Sequence, residues 1–96
     1  MEPLIIQSMI LEKLPIKGGT VTMHQDSTYL LSEPDSIFGW WIPLEDANQE
    51  NGCIWVLPGS HKNKLYYRYK MVDGMPNYEI DGPIDYNERN CIPIEM

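Results

Sequence analysis

The chain has 96 residues, with seven Lys plus Arg against fourteen Asp plus Glu and a formal net charge of −7. That length holds one domain at most, and cations outnumbered two to one exclude a binder of nucleic-acid phosphates, whose affinity comes from clustered Lys and Arg. No apolar run is long enough to span a bilayer, and Met1-Glu2-Pro3 carries an acidic residue where a signal peptide has a basic one, so the sequence predicts no membrane partner and an intracellular, cytoplasmic protein.

Eight prolines and seven glycines are spread along the chain and leave no stretch suited to a long helix. What lies between them is rich in Ile, Val, Thr, Tyr and Trp in runs of strand length, which predicts a mostly β protein. In chain order, strands are expected near Leu4–Leu11, Thr20–Gln25, Phe38–Leu44, Gly52–Leu57 and Asn90–Glu95. Gly18-Gly19 predicts the turn after the first strand, Asn51-Gly52 a tight hairpin turn, and Pro58-Gly59 the centre of a type II turn. Ser60–Asp73 suits a short helix, although Leu65–Tyr69 serves equally as a strand. Met75–Asn90, with two Pro and two Gly, reads as a long loop. Cys53 and Cys91 read as small apolar residues rather than a disulfide pair. A compact chain of this mass exposes roughly 5,700 Å² of surface against about 16,000 Å² unfolded, so a complete domain has room for a core.

Candidate chemistry begins at His24-Gln25-Asp26. On an extended chain alternate side chains share a face, which puts His24 and Asp26 on one side about 6.5–7 Å apart along the strand, near enough to converge on one ion. Imidazole plus carboxylate is two-thirds of the 2-His-1-carboxylate triad that holds non-haem Fe(II). The plainer alternative is a surface histidine beside a solvated aspartate, or an Asp26 turn with Thr28. Farther on, the alternation predicts Phe38, Trp40, Ile42 and Leu44 as an unbroken core face. Trp41 then looks out between Gly39 and Pro43, as a pocket wall would.

The run His24-Gln25-Asp26-Ser27-Thr28-Tyr29-Leu30, with Glu33-Pro34, Gly39-Trp40-Trp41-Ile42-Pro43-Leu44-Glu45-Asp46-Ala47, Glu50-Asn51-Gly52-Cys53-Ile54-Trp55 and Pro58-Gly59-Ser60-His61, resembles the phytanoyl-CoA dioxygenase family, in particular its domain-containing branch. The resemblance extends upstream to Gln7-Ser8-Met9 and downstream to Cys91-Ile92-Pro93-Ile94, so it covers almost the whole chain. It implies a double-stranded β-helix, or cupin-like jelly roll, and an enzyme that uses Fe(II), 2-oxoglutarate and O₂ to hydroxylate a small or acyl-type substrate. By the same resemblance His24 and Asp26 are the first two metal ligands, and Met9, Gln25 and Trp41 line the 2-oxoglutarate pocket.

The family's second metal-binding histidine and the arginine that grips 2-oxoglutarate have no match. His61 falls on the family's Pro-Gly-Ser-His turn, and Arg68 and Arg89 fall on no cosubstrate-binding position. The expectation is therefore that residues 1–96 are the central part of one such domain, without its N-terminal helical portion and C-terminal strands. Such a fragment is expected to be inactive alone and to associate through open strand edges. A non-catalytic ligand- or partner-binding module derived from the same fold, using Trp40, Trp41, Trp55 and the six tyrosines, is the alternative.

Overall fold

The computed structural model describes residues 2–80 and 87–96. Its longest regular element is an antiparallel hairpin of strands β2 (Tyr67–Val72) and β3 (Met75–Ile80), and a two-residue pair joins β1 (Trp55–Val56) to β4 (Ile92–Pro93). Three short 3₁₀ turns, Asp26–Thr28, Ser60–Lys62 and Glu88–Asn90, complete the regular structure, and no α-helix is found among the described residues. None of the described helices is long and apolar enough to cross a membrane.

The hairpin follows from Asp73-Gly74, whose φ values of 52° and 77° are those of a turn that takes a positive φ at both central residues and so matches the right-handed twist of paired strands. Its register, Tyr69 opposite Tyr78 and Arg68 opposite Glu79, sorts the side chains by face. Tyr67, Tyr69 and Tyr78 share one face, with ring centroids 5.4 Å apart for both Tyr67–Tyr78 and Tyr69–Tyr78. On the other face Lys70 pairs with Glu79 at 3.0 Å. Within 60–73 the strand is Tyr67–Val72 and Ser60–Lys62 forms only a short 3₁₀ turn, while the loop expected from Met75 is corrected: residues 75–80 are extended because β2 offers them a ladder. The rest of that expected loop, 81–86, lies outside the described residues.

The second pair confirms the middles of two expected strands and shortens both. Trp55 lies opposite Pro93 and Val56 opposite Ile92. The pairing continues irregularly, with Ile94 N–H donating to Ile54 O at 2.9 Å and Ala47 and Met96 exchanging bonds of 2.7 and 2.9 Å. Side chains of Asn48 and Asn51 organise the turn before it. The Asn48 carboxamide oxygen accepts the N–H groups of Glu50 and Asn51, while that of Asn51 accepts the N–H of Asn48. Gly52 (φ 90°) completes this turn, but the expected hairpin is not formed, because the strand that follows pairs with β4 rather than with the segment before the turn. Its backbone oxygen accepts a bond from Lys13 Nζ, and a Cβ there would meet Lys13 Cδ at 3.0 Å. Gly59 (φ 79°, ψ −5°), with Ser60 N–H bonded to Leu57 O at 3.1 Å, is the expected type II turn. Both cysteines are free, Cys53 buried and Cys91 half-buried.

The remaining expectations are corrected. Leu4–Leu11, Thr20–Gln25 and Phe38–Leu44 form no ladder among the described residues. The turn after the first segment falls at Pro15–Lys17, where Ile16 takes a φ of 68° and Lys17 N–H reaches Pro15 O at 2.7 Å, one step before Gly18-Gly19. Without those ladders the expected core face is solvent-facing: Phe38, Trp40, Ile42 and Leu44 are 88%, 91%, 70% and 78% exposed. The chain's surface is 8900 Å², well above the roughly 5,700 Å² of a compact chain, and its radius of gyration of 15.4 Å exceeds about 12.5 Å. Two β pairs do not make a jelly roll. The described chain is β-rich, and among its residues only Thr28 and Cys53 are buried.

Candidate metal centre

Residues 20–25 enter no regular element, and Gln25 (φ −107°, ψ 131°) is extended immediately before the Asp26–Thr28 turn. That turn is closed by Thr28 N–H to Gln25 O and by Tyr29 and Leu30 N–H groups to Asp26 O, each at 3.0 Å. Folding back at Asp26 brings its carboxylate toward the preceding imidazole. His24 Nε2 and Asp26 Oδ1 stand 3.3 Å apart, about half the separation of alternate residues along a straight strand.

The imidazole is oriented by its other nitrogen. His24 Nδ1 lies 2.8 Å from Thr22 O, and a carbonyl can only accept, so Nδ1 carries the hydrogen. In the neutral ring Nε2 is then a lone pair facing a carboxylate oxygen. Two acceptors so close repel unless a positive charge sits between or beside them, either a second ring proton or a cation. Ligands in adjacent positions on a divalent ion, with bonds of about 2.1 Å, lie about 3 Å apart, so this pair fits such an ion with little movement. An Nδ1–H held by a backbone carbonyl is the support that metal-bound histidines use.

Gly39 lies beside the carboxylate, and a Cβ there would make ordinary contact with Asp26 Oδ2 at 3.6 Å. Tyr29 stands edge-on to the His24 ring, with centroids 6.3 Å apart, and leads through Tyr69 (6.2 Å) to the aromatic face of the hairpin. Thr28, at 1% exposed, is buried beneath the turn, and its hydroxyl has no hydrogen-bond partner among the described residues.

The other expected site residues are distributed more widely. Gln25, between the two ligands, directs its amide to the backbone ahead of β2, donating from Nε2 to Lys64 O at 3.0 Å and accepting Tyr66 N–H at Oε1 at 2.8 Å. Trp41 is 39% exposed and more enclosed than Trp40, while Met9 is 70% exposed. Neither forms a ring contact or hydrogen bond with the pair among the described residues. His61 is exposed on the Ser60–Lys62 turn. Arg68 Nη2 meets both carboxylate oxygens of Asp35 at 3.3 Å. Among the described residues no group of three His, Cys, Asp or Glu side chains converges. A separate cavity of about 530 Å³ lies between residues 13–21 and Glu50–Gly52, away from the pair.

Sequence reasoning missed the Tyr29 ring contact and the Gln25 bonds. The Asp73-Gly74 turn would have revealed the hairpin, but nothing local indicates which segment Tyr29 or Gln25 meets.

The described chain is β-rich, and its His-x-Asp pair closes to 3.3 Å. The family model for phytanoyl-CoA dioxygenase (PhyH) matches residues 2–96, and the chain belongs to that family. It is 40% identical over 94 residues to a phytanoyl-CoA dioxygenase of Arabidopsis thaliana, covering 98% of this chain and 33% of that protein. The values for phytanoyl-CoA dioxygenase 1 of Oryza sativa subsp. japonica are 42% over 95 residues, 98% and 33%. Phytanoyl-CoA dioxygenase domain-containing protein 1 of Danio rerio is 51% identical over 67 residues, 69% of this chain and 23% of that protein. The chain thus spans a third or less of the length of these curated relatives. No solved structure matches it significantly.

Proposed function

We propose that the chain is part of an Fe(II)- and 2-oxoglutarate-dependent dioxygenase domain of the double-stranded β-helix type, acting on a small or acyl-type substrate inside the cell. The observation that carries this reading is the 3.3 Å approach of His24 Nε2 to Asp26 Oδ1, in a chain of the phytanoyl-CoA dioxygenase family. Fe(II) with 2-oxoglutarate, when bound, supplies the oxidation by which O₂ hydroxylates carbon. His24 presents Nε2 to the metal with its tautomer held by Thr22 O, and Asp26 presents Oδ1. Trp41 and Met9 supply apolar wall to the cosubstrate. A residue outside this pair completes the ligand set.

A second reading, a partner-binding module of the same family, is favoured by the exposure of Phe38, Trp40, Ile42 and Leu44. Titration of the metal-free chain with Mn²⁺, followed by the free-ion electron-spin signal, separates the two. The dioxygenase reading expects Mn²⁺ binding that Ca²⁺ competes for weakly, because Ca²⁺ prefers six to eight oxygen ligands. It also expects His24→Ala and Asp26→Ala each to weaken binding. Binding unchanged in both variants removes the metal assignment and leaves the module.

A further inference from the structure

We infer that Gln25 is a positioning residue: its side-chain amide clamps the metal-ligand segment to the chain leading into β2 and so holds His24 and Asp26 at their mutual spacing. The inference rests on the metal reading above and adds a role for the residue between the two ligands.

The carboxamide of Gln25 takes two backbone groups that flank one residue, Lys64 O and Tyr66 N–H. In a parallel ladder each residue bonds the carbonyl before and the amide after its neighbour across the gap. Gln25 thus occupies the place of a neighbouring strand, with its own extended backbone (φ −107°, ψ 131°) carrying the amide there. Alternation along that backbone turns His24 away from the clamp, so the imidazole is free for Thr22 O and for Asp26.

A second tether acts on the far side of Asp26. Tyr29 packs on Tyr69 of β2 with ring centroids 6.2 Å apart. The Asp26–Thr28 turn is therefore fastened to the hairpin from both ends, by Gln25 just before it and Tyr29 just after. In a chain with so little buried surface, such bonds replace packing as the means of fixing a side chain. Both polar atoms of the Gln25 amide are committed to backbone, which directs this side chain to bracing rather than to contact with a cosubstrate.

The test uses the full chain and two readouts: Mn²⁺ affinity from the free-ion electron-spin signal, and amide hydrogen exchange at Tyr66. Gln25→Met keeps length and volume but removes both bonds. It is expected to weaken Mn²⁺ binding about 10- to 100-fold, the usual cost of losing a group that orients a ligand, and to speed Tyr66 exchange roughly two- to tenfold. Gln25→Glu keeps the acceptor for Tyr66 N–H and sets an oxygen against Lys64 O, so both effects should be intermediate. Faster Tyr66 exchange with Mn²⁺ affinity unchanged makes Gln25 a brace without influence on the ligands and overturns the inference. Weaker Mn²⁺ binding with Tyr66 exchange unchanged overturns it in the other direction, placing Gln25 against the metal or its ligands. If the unmodified chain binds no Mn²⁺, the metal reading fails and the positioning role with it, while Tyr66 exchange still decides whether the clamp exists.

Discussion

The adjacent tryptophans offer the sharpest check on how this chain packs. Trp40 is 91% exposed and Trp41 39% exposed. Since a fully covered indole buries up to about 250 Å², Trp41 keeps roughly 150 Å² from water and Trp40 roughly 20 Å². At about 25 cal/mol per Å², truncating Trp41 to Ala costs up to about 4 kcal/mol, against about 0.5 kcal/mol for Trp40; both are upper bounds because an unfolded chain already buries some surface. Acrylamide quenching reads the same contrast directly. A variant carrying only Trp40 (Trp41→Phe, Trp55→Phe) should quench almost like free indole, and one carrying only Trp41 should quench less. Urea midpoints of Trp40→Ala and Trp41→Ala supply the energetic comparison. A protected Trp40, or a larger loss from Trp40→Ala than from Trp41→Ala, refutes the reasoning and means that the Phe38, Trp40, Ile42 and Leu44 face is covered in solution. Dependence of that protection on protein concentration would then identify self-association as the cover.

Three further outcomes are expected. Thr28→Val should raise the urea midpoint, because it replaces a buried hydroxyl that has no hydrogen-bond partner among the described residues by a methyl of equal size, relieving about 1–3 kcal/mol; a lower midpoint means the hydroxyl is satisfied in solution. Gly52→Ala forces an alanine to φ 90° and drives its Cβ against Lys13 Cδ at 3.0 Å, a cost of about 1–3 kcal/mol. It should appear as faster exchange of the Cys53 amide, which bonds Asn48 O across this turn. The Tyr78 phenol is held above its ordinary value, first by partial loss of hydration and then by the Tyr29 phenol through charge and a hydrogen bond. A folded value above the unfolded one means that the contribution of this group is whole below about pH 10 and is lost as pH rises through the folded value. Phenolate absorbance should show Tyr78 ionising late, and Tyr29→Phe should bring it partway back.

The features legible in the sequence are those made by neighbours along the chain. Asn51-Gly52 and Pro58-Gly59 are turns in the structure because glycine accepts φ values of 90° and 79° and proline presets its own, whatever lies elsewhere. The same locality made Asp73-Gly74 readable in principle. Family membership was equally visible, since it resides in the order and spacing of motifs from Met9 to Ile94. What needed the tertiary structure is whatever a residue finds across space. Composition made 4–11 an expected strand and 75–80 an expected loop, and the structure reverses both: β2 pairs with 75–80, while 4–11 enters no ladder among the described residues. Which tryptophan is enclosed could not follow from alternation, because alternation defines faces and only a neighbouring layer makes one of them interior. His24 and Asp26 were recognisable as a pair. Their 3.3 Å approach, the Thr22 carbonyl that fixes the imidazole and the Gln25 amide bonded forty residues away in sequence, at Lys64 and Tyr66, were decided by the fold-back at Asp26 and by the hairpin to which it is fastened.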